Sequence, residues 1–173
     1  MLDLEKLINR MTHSAEVVES LVRGVDDTQA RWKPSPEDWS ILEVINHLYE
    51  EEQADFRVRV DILIYHPERD VPDIDPMGWV TSRRYNERDL GESLANFLAE
   101  RRKSLDWLKG LESPNWEAGL DHPWTQGRGR AGDVMAAWAA HDLLHIRQLN
   151  ELHYLYHAEV SKPYSPEYAG EWR

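Results

Sequence analysis

His141 and His145 stand four residues apart in a segment whose apolar residues recur at helical spacing. One turn of helix separates such a pair by about 6 Å along the axis, so both imidazoles face one side and can share a cation. They share their stripe with Val134, Trp138, Leu149, Leu152 and Tyr156, which offer two inward imidazoles few hydrogen-bond partners; a shared metal ion would satisfy both rings. A third nitrogen is available from His47, beside Val44 and Glu51 on another amphipathic segment, and facing helices of a bundle build metal sites in this way. His153 and His157 repeat the spacing but leave the stripe near the end of their segment, so they and the other histidines outside the triad are expected to titrate freely and hold no metal.

The chain has no cysteine, which confines metal ligands to histidine, carboxylate and water. Three imidazoles leave a coordination position open. Zinc held so lowers the pKa of water to about 7, or it can keep a thiol as thiolate. Glu51 and Asp142 are the candidate base or orienting carboxylates. Imidazole-rich sites accept zinc, nickel, copper or iron, with zinc and nickel first in expectation here. His141-Asp142-Leu143-Leu144-His145 has the spacing of the His-Glu-x-x-His of zinc peptidases, yet the shorter acid and the lack of a third ligand within the helix count against that chemistry. In a non-enzymatic reading the metal is a structural staple of a binding protein, which calls for four protein ligands where three are in view.

Four segments must place these residues, and none of the chain alternates with period two for long enough to make a sheet. The spacing predicts helices near 3–23, 40–65, 89–110 and 133–157. The second begins at a capping box, Ser40 with Glu43, and a hydrophobic staple, Trp39 with Val44; Asp89 with Glu92 opens the third. Residues 67–86 contain Pro67, Pro72, Pro76 and Gly78 and read as a long crossover rather than a tight hairpin. Residues 158–173, with Pro163, Pro166 and Gly170, read as a non-helical tail. The glycine-rich Gly127-Arg128-Gly129-Arg130-Ala131-Gly132 has no preceding strand and no Gly-Lys-Ser/Thr ending, so it reads as a turn and not a phosphate loop. Trp39 and Trp138 are assigned to the core, while Trp79, Trp116 and Trp124 are left for a pocket mouth or a subunit contact. Residues 1–173 are read as one all-α domain, a four-helix bundle.

The net charge of −12 argues against nucleic acid and anionic membranes as partners. The most basic run, Arg101-Arg102-Lys103, reads as a solvated helix face. No stretch reaches the roughly 20 apolar residues of a spanning helix, and the first residues lack the apolar core of a signal peptide. A cytoplasmic location is the expectation.

Arg31-Trp32-Lys33-Pro34, then Trp39-Ser40-Ile41-Leu42-Glu43-Val44-Ile45-Asn46-His47-Leu48, then Trp138-Ala139-Ala140-His141-Asp142-Leu143-Leu144-His145-Ile146-Arg147-Gln148 together resemble the DinB-like superfamily of metal-binding four-helix bundles. The resemblance covers nearly the whole chain. It implies an up-down-down-up bundle whose long second connection is residues 67–86, a metal site at His47, His141 and His145, and a homodimer. Relatives include metal-dependent hydrolases, bacillithiol-using thiol S-transferases and a mycothiol-dependent isomerase, so the resemblance implies a small-molecule substrate, with a low-molecular-weight thiol as one candidate. Arg130 departs from the pattern, standing where relatives usually have a small capping residue.

Overall fold

The structure, a computed structural model, describes residues 2–119, 129–170 and 172. Its helices are α1 (Leu4–Val22), α2 (Asp27–Arg31), α3 (Ile41–Ala54), α4 (Phe56–Tyr65), α5 (Pro76–Ser82), α6 (Leu90–Lys109) and α7 (Ala131–Val160), with single 3-10 turns at Tyr85–Glu87 and Glu167–Ala169. Among the described residues no strand forms; a lone bridge joins Gly119 and Arg130. Among the described residues no helix is long and apolar enough to cross a membrane.

Local sequence explains where the long helices begin. The Ser40 hydroxyl accepts from the Glu43 N–H at 3.1 Å, and the Glu43 carboxylate accepts from the Ser40 N–H at 2.9 Å, so two orphan donors are satisfied reciprocally. Asp89 caps α6 by accepting from the Glu92 N–H at 2.8 Å. At α7 the cap works from inside the helix: Arg130 stands at the N-cap, and both its N–H and its guanidinium donate to Asp133. That arrangement moves the start to Ala131. Gly132 fits there because its N–H donates to the Trp116 carbonyl at 2.9 Å, and a Cβ would come within 3.1 Å of that oxygen.

Four expectations need correction. The segment expected as one helix over 40–65 is two, broken at Asp55 (φ −119°, ψ −90°). The Asp55 N–H still bonds the Glu51 carbonyl at 3.3 Å while its own carbonyl accepts from Arg59 at 2.9 Å, so the residue closes α3 and opens α4. Its buried carboxylate is paired with Arg59. The connectors are not irregular throughout, for α2 is capped by Asp26 and α5 by Asp75 with Pro76 at its first position. The last helix runs to Val160 and the tail carries a further 3-10 turn. Most consequential, Arg101 is not on a solvated face: it is 2% exposed.

Two buried clusters give the chain directions. One takes Val18 and Val22 late in α1, Ile41 and Val44 at the start of α3, Phe97 in α6, and Leu149 and Leu152 in the second half of α7. The other takes Ile8 early in α1, Val60 in α4, Leu105 and Leu108 late in α6, and Met135 early in α7. Hence α1 and α7 run one way, and the α3–α4 pair and α6 run the other. Residues 67–86 therefore traverse the bundle. Their far end is tied down by the connector: Arg31 donates to the carbonyls of Asn86 and Arg88, Ser40 donates to the Asn86 side chain at 2.6 Å, and Arg88 donates to the Asn46 side chain at 2.8 Å.

Between the two clusters lies a buried ionic layer. Arg101 of α6 donates to Glu52 of α3 at 2.6 and 2.9 Å, to both oxygens of Asp142 of α7 at 2.7 Å, and to the Met11 carbonyl of α1 at 3.1 Å. The Trp138 indole N–H adds a bond to Glu52 at 2.7 Å. Removing one partner of such a layer strands the others in low dielectric, at a cost of about 3–5 kcal/mol. Replacing Arg101 with Leu should lower the stability measured by urea unfolding at pH 7 by that amount; a loss under about 1 kcal/mol would show the layer to be dispensable.

Candidate metal centre

The middle of α3 presents His47, and the middle of α7 presents His141 and His145, at the level of the ionic layer. The Nε2 atom of His141 lies 3.2 Å from that of His47 and 3.1 Å from that of His145, and one ligand nitrogen from each of the three lies within 4.8 Å of the others. Metal–nitrogen distances of about 2.0–2.1 Å at a tetrahedral centre place ligand nitrogens about 3.3–3.4 Å apart. The two separations to His141 sit close to that value, and the three rings are near enough to hold one ion.

Their protonation suits the task. Burial, reinforced by the neighbouring His145 and His141, holds His47 far below the ordinary histidine range, at about 2. Burial, then His145 and Arg101, brings His141 to about 3, and burial lowers His145. All three are neutral at physiological pH and carry free lone pairs. The outer ring nitrogens differ in their partners. The His145 Nδ1 lies within hydrogen-bond distance of Gln148 Oε1, at 2.8 Å. The His47 Nδ1 lies 3.7 Å from Glu51 Oε1, and both atoms are buried without a hydrogen bond.

Of the two carboxylates singled out in the sequence, Glu51 is beside the centre on the outer side of His47. Burial, then Asp55, pushes its carboxyl up to about 8. Asp142, although next to His141 in sequence, turns both oxygens to Arg101; burial raises its pKa against the pull of that guanidinium. Sequence reasoning missed the aromatic walls. The Trp39 ring is 4.9 Å from His47 and parallel to His145 at 6.3 Å, and Phe56 packs on His141 at 5.1 Å and stacks on Trp138. Phe56 reaches this position because α4 restarts directly after Asp55. Gln148 was missed too, although an amide one turn past a ligand histidine is a readable signal.

The remaining histidines and tryptophans sort as follows. His153 bonds the Leu21 carbonyl at 2.7 Å and the Gln29 amide at 2.9 Å, and so fastens α7 to α1 and α2. His157 lies 3.5 Å from the Ser161 hydroxyl, and His13 bonds the Asn9 carbonyl. Trp79 stacks under Arg83 and Trp116 packs on the second core cluster. Trp124, His122 and residues 127–128 of the glycine-rich loop lie outside the described residues. Cavities flank the centre along α7. One of about 640 Å³ is walled by Phe56, Val134, Ala137 and residues 67–74; one of about 200 Å³ is lined by Trp39, Gln148 and Leu152 among others.

A bundle of four long antiparallel and parallel helices, with three neutral imidazoles converging between two of them, defines a class of helical proteins with an interior histidine centre. The model of the DinB superfamily matches residues 10–149, and the chain belongs to that superfamily. Among solved structures it is similar to YfiT from Bacillus subtilis, described as "a probable metal-dependent hydrolase with an unusual four-helix bundle topology", at 18% sequence identity and a TM-score of 0.76, over 88% of this chain and 87% of that one. No curated protein matches.

The depressed histidines make stability depend on pH in a definite direction. The unfolded chain takes up protons near 6.5 and the folded one does so only near 2 to 3, so stability present above about pH 6.5 is lost as the pH falls through that window. Glu51, raised to about 8, acts oppositely between its unfolded value and 8, which makes comparison between variants the clean measurement. His47→Gln should flatten the acid-side fall of the unfolding midpoint between pH 6.5 and 3. Parallel curves would mean that His47 is not held neutral by the fold.

Proposed function

We propose that the protein is a divalent-metal-dependent enzyme, with zinc or nickel held by His47, His141 and His145, that activates water for attack on a small-molecule substrate. The observation that carries this reading is the convergence of three neutral imidazoles, with the His141 Nε2 3.2 Å from that of His47 and 3.1 Å from that of His145, beside cavities of a size that small molecules occupy. Likeness to a protein described as a probable metal-dependent hydrolase supports it. An ion held by three imidazoles would supply Lewis acidity and bring bound water to a pKa near 7. Among the described residues the cluster contains three ligands, which favours an open catalytic position over a closed structural staple.

Glu51 and Asp142 take supporting parts in this reading. Glu51 stands on the Nδ1 side of His47, 3.7 Å from it and away from the converging Nε2 atoms, so it is a candidate outer partner of that ring and is poorly placed to remove a proton from substrate water. Asp142 balances Arg101 and thereby holds the α7 turn that carries His141. The thiol S-transferase and isomerase reading rests on the family resemblance alone, as do the homodimer and the cytoplasmic location. Esters, amides and low-molecular-weight thiols therefore belong in the same substrate screen.

The test is thermal unfolding of wild type and His47→Ala in chelator and in added zinc or nickel. An ion that binds only the folded chain, at a hundredfold excess over its dissociation constant, adds about 2.7 kcal/mol. His47→Ala should lose most of that increment, because two imidazoles on one helical turn leave the cation under-coordinated, whereas His153→Ala should keep the wild-type metal content. Equal metal-dependent shifts in wild type and His47→Ala would remove His47 from the centre. In the same screen, hydrolysis should vanish with chelator and in His141→Ala, and return to wild type on adding the ion; turnover that survives both treatments would sink the proposal.

A further inference from the structure

We infer that Gln148 is a positioning residue of the histidine centre, whose side-chain carbonyl locks His145 in the one tautomer that can ligate a metal through Nε2. This rests on the three-histidine reading above and adds to it a residue outside the ligand set. The Gln148 Oε1 lies 2.8 Å from the His145 Nδ1. A carbonyl oxygen only accepts, so the shared proton sits on Nδ1; a neutral imidazole has a single N–H, so Nε2 keeps its lone pair. That lone pair is aimed at the His141 Nε2, 3.1 Å away. With the amide turned the other way, its NH₂ would demand a bare Nδ1, and the proton would move to Nε2 and block the centre.

The geometry makes Gln148 a device for direction rather than a general polar contact. It lies three residues after His145 on α7, so the helix backbone sets the reach between the two side chains. Trp39 lies parallel to the His145 ring at 6.3 Å, and Gln148 and Trp39 line the same cavity of about 200 Å³. Thus His145 is bounded on one edge by an acceptor and on one face by an indole, which limits both its tautomer and its rotation. His47 has no equivalent hold, its Nδ1 lying 3.7 Å from Glu51 Oε1 without a hydrogen bond. Gln148 is the element of the centre that is set before any ion arrives.

The experiment compares zinc affinity of wild type, Gln148→Leu and Gln148→Glu by competition with a chromophoric chelator, with the His145 tautomer read from ¹⁵N NMR of zinc-free wild type. Loss of an outer partner of a ligand histidine weakens metal binding about 10–100-fold. Gln148→Leu should show that loss with a zinc-free unfolding midpoint close to wild type, and Gln148→Glu, which keeps an acceptor on Nδ1, should bind zinc within a few-fold of wild type or more tightly. His145 should carry its proton on Nδ1. Wild-type affinity in Gln148→Leu, or an Nε2–H tautomer in the zinc-free wild type, would overturn the role of Gln148 while leaving the three-histidine centre standing. Failure of wild type to bind zinc or nickel would instead overturn the centre itself.

Discussion

Everything in this bundle is arranged around one buried guanidinium. Arg101 is reached by a carboxylate from α3, another from α7 and a carbonyl from α1, so four helices are brought to one level by bonds that have direction as well as strength. Apolar clusters on either side tolerate some sliding, because hydrophobic contact is non-directional. A guanidinium with fixed donor geometry does not. Glu52 sits five residues after His47, and Asp142 directly follows His141. The register imposed on the two carboxylates is therefore imposed on the histidines as well, and the three imidazoles meet because the neighbouring ion pairs do.

Such a layer is an expensive way to hold helices together, since desolvating three charged groups offsets much of what their attraction returns. Its contribution is better understood as specification. The hydrophobic stripes of α3 and α7 are compatible with several heights of one helix against the other, and the buried charges select the one in which Arg101 meets both Glu52 and Asp142. The indole N–H of Trp138 adds a third donor to the Glu52 Oε1 from the helix that carries His141 and His145. Structure and chemistry are coupled here through adjacent positions in the chain, not through a distant pathway.

What could be read from the chain before its structure follows a physical division. His141 and His145 were legible because helical periodicity converts sequence spacing into direction, and the start of α3 was legible because the Ser40–Glu43 pair is a local, reciprocal contact. Arg101 was misread for an equally physical reason: beside Arg102 and Lys103 it looks like part of a solvated run, and only tertiary contacts 41 to 90 residues away distinguish it from them. The break at Asp55 was hidden because Phe56 and Ile62 continue the apolar pattern across it. Asp26 and Asp75 announce α2 and α5, but helices of 5 and 7 residues are too short to show a period. The roles of Trp39 and Phe56 became visible only once ring orientation was known, which sequence spacing does not encode.

The interruption at Asp55 has a further consequence for how this scaffold can diversify. With α3 and α4 as separate rods, the rod that carries His47 is clamped by the ionic layer, while the rod after the break, together with residues 67–74, walls the larger cavity. A continuous helix would transmit every change of tilt or length from the wall to the ligand. The joint separates the two rods, so a change in the wall formed by α4 and residues 67–74 is not passed along a continuous helix to His47, an architectural modularity within one bundle.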